Sequence, residues 1–253
     1  MPLTVHQFPC LSDNYGFLIR DEASGLAACI DTPDAAAILR ELDQLGWKLA
    51  YIFNTHWHPD HAGGNAEVAA ATGAVAVGPQ EVERIIAPDR VVQDGDVVEL
   101  GETRFQVIDT GGHTLGHITY FDAADHIAFV GDTLFALGCG RLFEGTPEQM
   151  WESLQKLAAL PDNTTVYCAH EYTASNARFA LTVDQDEPLR RRAADVFAAR
   201  ERGEPTVPTT IGLEKATNPF LRAPLLAREL GLNPATDYEA FGQIRAAKDA
   251  FRG

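Results

Sequence analysis

The sequence predicts an α+β chain, with an αβ domain to about residue 172 and an α-helical domain over residues 173 to 253. Three observations carry this reading. Strand-like and helix-like segments alternate as far as "TVYCAHEY", and beyond it the β signal stops. Charge divides at the same place: residues 1 to 172 hold 25 acidic and 8 basic side chains, residues 173 to 253 hold 11 and 12. Histidine and aspartate recur just past the ends of predicted strands, where open αβ architectures collect their sites.

Taken in order, "GFLIR" and "LAACI" are short apolar runs separated by the polar "DEASG", a hairpin signal. "TPDAAAILRELDQLG" reads as a helix with Thr32 as N-cap, Pro33 at the first helical position and Gly46 as the stop. A strand over residues 50 to 54 leads into "THWHPDH", followed by a helix near residues 65 to 72 and a strand at "AVAV". "VVEL", "RFQVID", "ITYF" and "IAFVGD" read as successive strands with turns such as "DGD" and "DAADH" between them. "TPEQMWESLQKLAAL" is a helix signalled by Thr146 before Pro147 and Glu148, with Pro161 just past its end. After "TVYCAHEY" the chain reads as helices, notably "EPLRRRAADVFAARERG", broken by a linker at "EPTVPTTIG".

The net charge of -16 argues against a nucleic-acid or anionic-membrane partner, since either would repel the protein at long range. No apolar run is long enough to span a bilayer, and "MPLTVHQFPC" lacks the basic start and apolar middle of a signal peptide, so a cytoplasmic address is expected. The four cysteines are widely spaced and form no C-x-x-C pair, which suits buried thiols in a reducing compartment. A monomer is expected.

"THWHPDH" follows the apolar run "LAYIFN". If the chain stays extended past the strand, His56 and His58 face the same side and can hold one ion as a pair. A turn at Pro59, helped by Gly63 and Gly64, can swing Asp60 and His61 toward a second. A helical zinc pair needs histidines four apart, so this segment reads as a loop. The plainer reading, a histidine-rich surface loop, does not account for the other strand ends. His113 follows "RFQVIDTGG", Asp132 ends "IAFVG" and His170 ends "TVYCA". Seven N and O donors are too many for one tetrahedral zinc, which takes four ligands, or three and a water. They suit two metals sharing one carboxylate. Spacing alone leaves His113 and His117 as alternatives in "GGHTLGHI".

"THWHPDHAGG" is similar to the T-H-x-H-x-D-H signature of the metallo-β-lactamase superfamily. Within it, "DNYGFLI", "GCGRLFEGTPEQM", "CAHEYTASNARFA", "ATNPFLR" and "RAAKDAF" resemble the glyoxalase II, or hydroxyacylglutathione hydrolase, family over nearly the whole chain. The resemblance implies an αββα sandwich with a C-terminal helical glutathione-binding domain. It implies two divalent metals, zinc first and iron or manganese as alternatives. His56, His58 and His113 match the ligands of one, Asp60, His61 and His170 those of the other, and Asp132 the bridging carboxylate. His117 then falls to a supporting role, and His6 and His126 carry no functional signal.

The implied reaction is hydrolysis of S-D-lactoylglutathione to glutathione and D-lactate, the second step of methylglyoxal detoxification. A water between two dications is ionised near neutral pH, since one zinc already lowers its pKa to about 7. That metal-bridging hydroxide is the expected nucleophile, with Asp60 as a ligand and proton acceptor. A thiolate leaving group, from a thiol of pKa about 8.5, needs no strong general acid. Gly-x-Ser-x-Gly is missing, and phosphodiester cleavage would want a basic track. By the same resemblance Arg141, Phe143, Tyr172, Arg245 and Lys248 bind glutathione. Some relatives carry Lys and Tyr where this chain has Arg141 and Phe143; arginine keeps the charge and adds a fork, phenylalanine loses a hydroxyl. Asn176 reads equally as a pocket residue or a helix-start polar group. The alternatives are an iron-dependent persulfide dioxygenase, with one iron held by two histidines and a carboxylate, another hydrolase of this fold, and a metal-binding scaffold.

Overall fold

The computed structural model describes residues 3–253, which fall into two compact units. The first comprises residues up to 109 together with 114–131, the second 110–113 with 132–253. Among the described residues no helix is long and apolar enough to cross a membrane.

The first unit begins with strands β1 (Leu3–Cys10), β2 (Asn14–Asp21) and β3 (Ala27–Ile30), paired antiparallel in that order. Helix α1 (Ala35–Leu45) returns the chain to β4 (Leu49–Phe53), which lies parallel to β3. A four-residue helix α2 (Pro59–Ala62) and α3 (Asn65–Thr72) lead to β5 (Val75–Gly78) and the short β6 (Arg90–Val91), both added in parallel. Then β7 (Val97–Leu100), β8 (Thr103–Asp109), β9 (Ile118–Asp122) and β10 (Ile127–Gly131) run antiparallel in a second sheet.

Neighbouring residues of a strand point to opposite faces, and the two faces of the first sheet are buried by different partners. Leu18, Cys29 and Ile52 pack with Ile38 and Leu42 of α1 and Val68 of α3. Phe17 and Phe53 point the other way: Phe17 meets Phe129 at 5.8 Å, and Phe53 meets Phe105 at 6.0 Å and Tyr120 at 5.5 Å. Double coverage explains why β2, β3 and β4 read as nearly continuous apolar runs.

The second unit opens with a tight hairpin of β11 (Leu134–Phe135) and β12 (Gly138–Cys139), followed by α4 (Pro147–Ala158) and β13 (Thr165–Cys168). Helices α5 (Thr173–Val183) and α6 (Glu187–Glu201) precede β14 (Thr209–Thr210), α7 (Ile211–Thr217), α8 (Ala223–Glu229) and α9 (Asp237–Ala250). Leu137, Ala177, Ala180, Leu189, Ala193 and Val196 form one apolar cluster of this unit. A buried Arg192–Glu214 ion pair ties α6 to α7.

Two expectations change, and some strands lie outside the sequence reading. Asp34, not Thr32, caps α1, its side chain accepting from the Ala37 amide at 3.0 Å; the Thr32 hydroxyl donates instead to Asn65 Oδ1 at 2.7 Å. The second half of "THWHPDH" is helical, because Pro59 at a first helical position starts α2. Strand β1 went unread, since "LTVHQFPC" mixes polar and apolar residues and its middle is only half-buried. Strand β14 also went unread: two threonines pair with Thr165 and Val166 of β13, too short a run for any pattern to show. By contrast Gly46 and Thr146 act as read, Gly46 with φ 64° and Thr146 accepting from the Gln149 amide.

Candidate metal centre

In the first unit the chain leaves β4 through Asn54, Thr55 and His56, all fully buried. Buried polar side chains must find partners, and here the partners fix the loop. Asn54 Nδ2 donates to the His61 carbonyl at 3.2 Å and to Asn65 Oδ1 at 3.1 Å, and Asn65 Nδ2 donates back to Asn54 Oδ1 at 2.7 Å.

Asp31 sits just past β3 with φ 57° and organises the histidines. Its carboxylate accepts from the Thr55 amide at 2.7 Å, from the Thr55 hydroxyl at 2.8 Å and from His61 Nδ1 at 2.8 Å. The Thr55 hydroxyl, having given its proton to Asp31, accepts from His56 Nδ1 at 3.0 Å. Both rings are therefore held with their proton on Nδ1, which makes Nε2 the acceptor nitrogen of each. His56 Nε2 lies 3.0 Å from His58 Nδ1. Two nitrogens bound at about 2.0–2.1 Å to a tetrahedral zinc are about 3.3 Å apart, so this pair is close to the spacing one ion requires. Asp60 Oδ2 lies 3.7 Å from His61 Nε2 and accepts from Asn14 Nδ2 at 3.2 Å. Asp31 itself falls within ligand distance of His56 and His61, but its oxygens are already spent on three donors, which makes it an orienting group.

His117 is fully buried and stacks on His56 at 4.9 Å between ring centroids. Gly131 makes room for it: at φ 46°, a Cβ there would come within 2.6 Å of His117 Nε2 and 2.7 Å of Thr55 Oγ1.

The second unit carries His113, Asp132 and His170, all buried. His113 Nδ1 donates to the Arg141 carbonyl at 2.8 Å, which leaves its Nε2 as an acceptor 3.3 Å from Asp132 Oδ2. The other carboxylate oxygen, Oδ1, lies 3.3 Å from His170 Nε2. One carboxylate thus offers an oxygen to each of two imidazoles. An N/O donor set of this kind suits zinc, iron or manganese. The residues fit the metals that the sequence implies.

Around this half-set, Tyr172 stacks parallel on His170 at 4.6 Å and Phe143 stands edge-on to His113 at 5.2 Å. Phe143, Tyr172 and the Arg141 side chain are exposed. Lys248 is pushed down to about 8 by burial and then by the cations of Arg245 and Arg141. Arg245, expected at a substrate surface, is only 5% exposed; it donates to the Cys139 carbonyl at 3.0 Å and pairs with Asp249 at 2.9 Å. Asn176 is a buried support, donating to the Ala136 carbonyl at 3.1 Å. The four cysteines are free and buried, and burial pushes the Cys10 and Cys168 thiols up to about 12, which leaves them unreactive.

Asp31, Thr55, Asn14, Asn54 and Asn65 are site residues that the sequence reading missed. For Asp31 a signal existed: it follows the strand "LAACI" just as Asp132 follows "IAFVG".

Residues 26–170 match the family model of the metallo-beta-lactamase superfamily, and the chain has that fold, β-sheets with helices and a C-terminal helical region. Residues 171–251 match the model of the hydroxyacylglutathione hydrolase C-terminus. The hydroxyacylglutathione hydrolase of Maricaulis maris is 58% identical over 98% of this chain and 99% of its own, and that of Erythrobacter litoralis 54% over 98% and 100%. The chain belongs to the hydroxyacylglutathione hydrolase family. Among solved structures it resembles ETHE1 from Myxococcus xanthus (TM-score 0.66, 28% identity, 97% of this chain and 99% of that one). It also shares the fold of TTHA1623 in a di-iron-bound form (TM-score 0.63, 24% identity, 86% and 100%). Fold and donor set together make this a site for divalent metal ions.

Proposed function

We propose that the chain hydrolyses the thioester of an S-(2-hydroxyacyl)glutathione such as S-D-lactoylglutathione, releasing glutathione and a 2-hydroxy acid, here D-lactate, as the second step of methylglyoxal detoxification. The observation that carries this is Asp132 presenting one oxygen to His113 and the other to His170, in a chain whose remaining length matches hydroxyacylglutathione hydrolases. His56, His58 and His113 hold one ion, Asp60, His61 and His170 the second, and Asp132 serves both. Zinc is the expected metal, with iron or manganese able to use the same donors. Bound there, the ions would supply a hydroxide at neutral pH and charge to stabilise an oxyanion.

The chain's own residues do the rest. Asp31 and the Arg141 carbonyl fix the proton of His61 and His113 on Nδ1. Asp60, steadied by Asn14, accepts a proton as the nucleophile forms. Water oxygen bonds to the acyl carbon, the C–S bond breaks, and the thiolate leaves with the bonding pair. Arg141, Arg245 and Lys248 supply the positive field that draws the carboxylates of glutathione to an otherwise acidic protein, and Phe143 and Tyr172 supply apolar walls. In this reading residues 1–172 form the metal-binding domain and 173–253 the glutathione-binding one, a division supported by the boundary between the two family matches. The protein works as a cytoplasmic monomer. Full-length relatives 58% and 54% identical, both named hydroxyacylglutathione hydrolase, weigh against the persulfide dioxygenase alternative.

The test is hydrolysis of S-D-lactoylglutathione with metal counting on the same preparation. Turnover with two ions per chain is expected; two ions bound and no turnover would overturn the reading.

A further inference from the structure

The hairpin of β11 and β12 lies in the chain between Asp132 and Arg141, and it is held in an unusual way. Its strands are two residues each, pairing Leu134 with Cys139 and Phe135 with Gly138. So short a hairpin has no stability of its own, and its position must come from outside. All of residues 134–140 are buried, so every backbone group there needs a partner.

Those partners are side chains from beyond residue 172. Asn218 Nδ2 donates to the Phe135 carbonyl at 3.1 Å and the Gly138 carbonyl at 2.9 Å. Glu214 Oε2 accepts from the Leu137 amide at 2.9 Å, where the backbone sits in the left-handed region at φ 57°. Asn176 takes the Ala136 carbonyl and Arg245 the Cys139 carbonyl. Glu214 and Asn218 stand one helical turn apart and are joined, Asn218 Nδ2 to Glu214 Oε2 at 2.9 Å. Glu214 is in turn anchored by Arg192.

The hairpin reaches every metal-binding candidate of the second unit. Asp132 stands two residues before its first strand, and the Gly140 amide closes it by donating to the Thr133 carbonyl at 3.2 Å. Just past it, the Arg141 carbonyl sets the His113 ring. From its first strand, Phe135 packs edge-on against His170 at 5.9 Å and Tyr172 at 5.5 Å. We propose that Asn218 and Glu214 are positioning residues for the metal centre, acting through this hairpin on Asp132, His113 and His170. The C-terminal region then sets metal affinity as well as substrate choice. This rests on the ligand assignment above.

The experiment titrates full-length metal-free protein with Zn²⁺ against a chromophoric chelator and measures kcat and KM on the reloaded protein. Asn218→Ala is expected to weaken zinc binding about tenfold, the lower end for loss of a group that orients a ligand, with kcat reduced and KM within about twofold of wild type. Asn176→Ala, which removes a single hairpin bond, is expected to shift zinc affinity in the same direction by less. Leu42→Ala, in the apolar cluster beneath α1 that contains no hairpin residue, controls for lost stability: it lowers Tm and leaves zinc affinity unchanged. Wild-type zinc affinity in both asparagine variants overturns the proposal, as does an equal loss in Leu42→Ala. Failure of the wild-type protein to hydrolyse the thioester would strike the proposed function alone, because zinc affinity is read without substrate.

Discussion

Asp31 and His61 meet through a 2.8 Å hydrogen bond between two buried side chains thirty residues apart, and that bond decides which nitrogen of His61 carries the proton. The same carboxylate reaches His56 through the Thr55 hydroxyl, so one residue sets the tautomers of two histidines.

Asp31→Asn separates the charge from the backbone, because asparagine tolerates the left-handed conformation. The variant is expected to fold and to bind zinc about tenfold more weakly in chelator competition, the usual scale for an orienting partner. Wild-type affinity would remove Asp31 from the site.

Lys248 loses its charge early. With its pKa pushed down to about 8, the ammonium is present below that pH and disappears above it, whereas an ordinary lysine stays charged to about pH 10. KM for the carboxylate-bearing thioester should therefore rise as pH passes through about 8. Lys248→Arg should abolish that inflection, and Lys248→Ala should raise KM much more than it lowers kcat, since the group binds a remote part of the substrate. A KM flat across this range speaks against the carboxylate role.

Phe143→Tyr restores a hydroxyl beside His113. If the pocket there offers a substrate hydrogen bond, KM falls by about two- to tenfold, the worth of a bond of about 0.5–1.5 kcal/mol. A KM unchanged or higher shows that the phenyl ring serves only as a wall.

Gly131→Ala places a methyl group against His117 and Thr55 at a backbone conformation that disfavours any side chain. The expected cost is about 1–3 kcal/mol in denaturant unfolding, from strain and overpacking together. A variant as stable as wild type would mean that the His117 ring can move aside freely.

The sequence announces what obeys a short-range rule. Thr146 before Pro147 and Gly46 after an apolar helix are signals contained within a few residues, and the structure uses both. Thr32 obeyed the same capping rule but is claimed by Asn65, thirty-three residues away, and no local pattern records that competition. Asp31 is legible by the same strand-end position as His113, Asp132 and His170, but the adjacent Thr32 carries the more familiar helix-capping signal. The supports Asn54 and Asn65 carry no sequence signal, because an asparagine that closes a buried network reads like one that turns a loop. Arg245 reads as an exposed cation on a terminal helix, and only tertiary packing reveals that its guanidinium is enclosed over Phe220.

The hairpin between Asp132 and Arg141 bears on protein engineering. A natural plan for changing thiol specificity is to transplant the terminal helices of one relative onto the metal-binding portion of another, cutting near residue 172. Such a cut severs Asn176, Glu214, Asn218 and Arg245 from the backbone groups they satisfy. Chimeras joined there would inherit mismatched clamps and, on the positioning role proposed for Asn218 and Glu214, would bind metal more weakly. A crossover between Gly131 and Asp132 keeps the hairpin and its clamps in one heritable block.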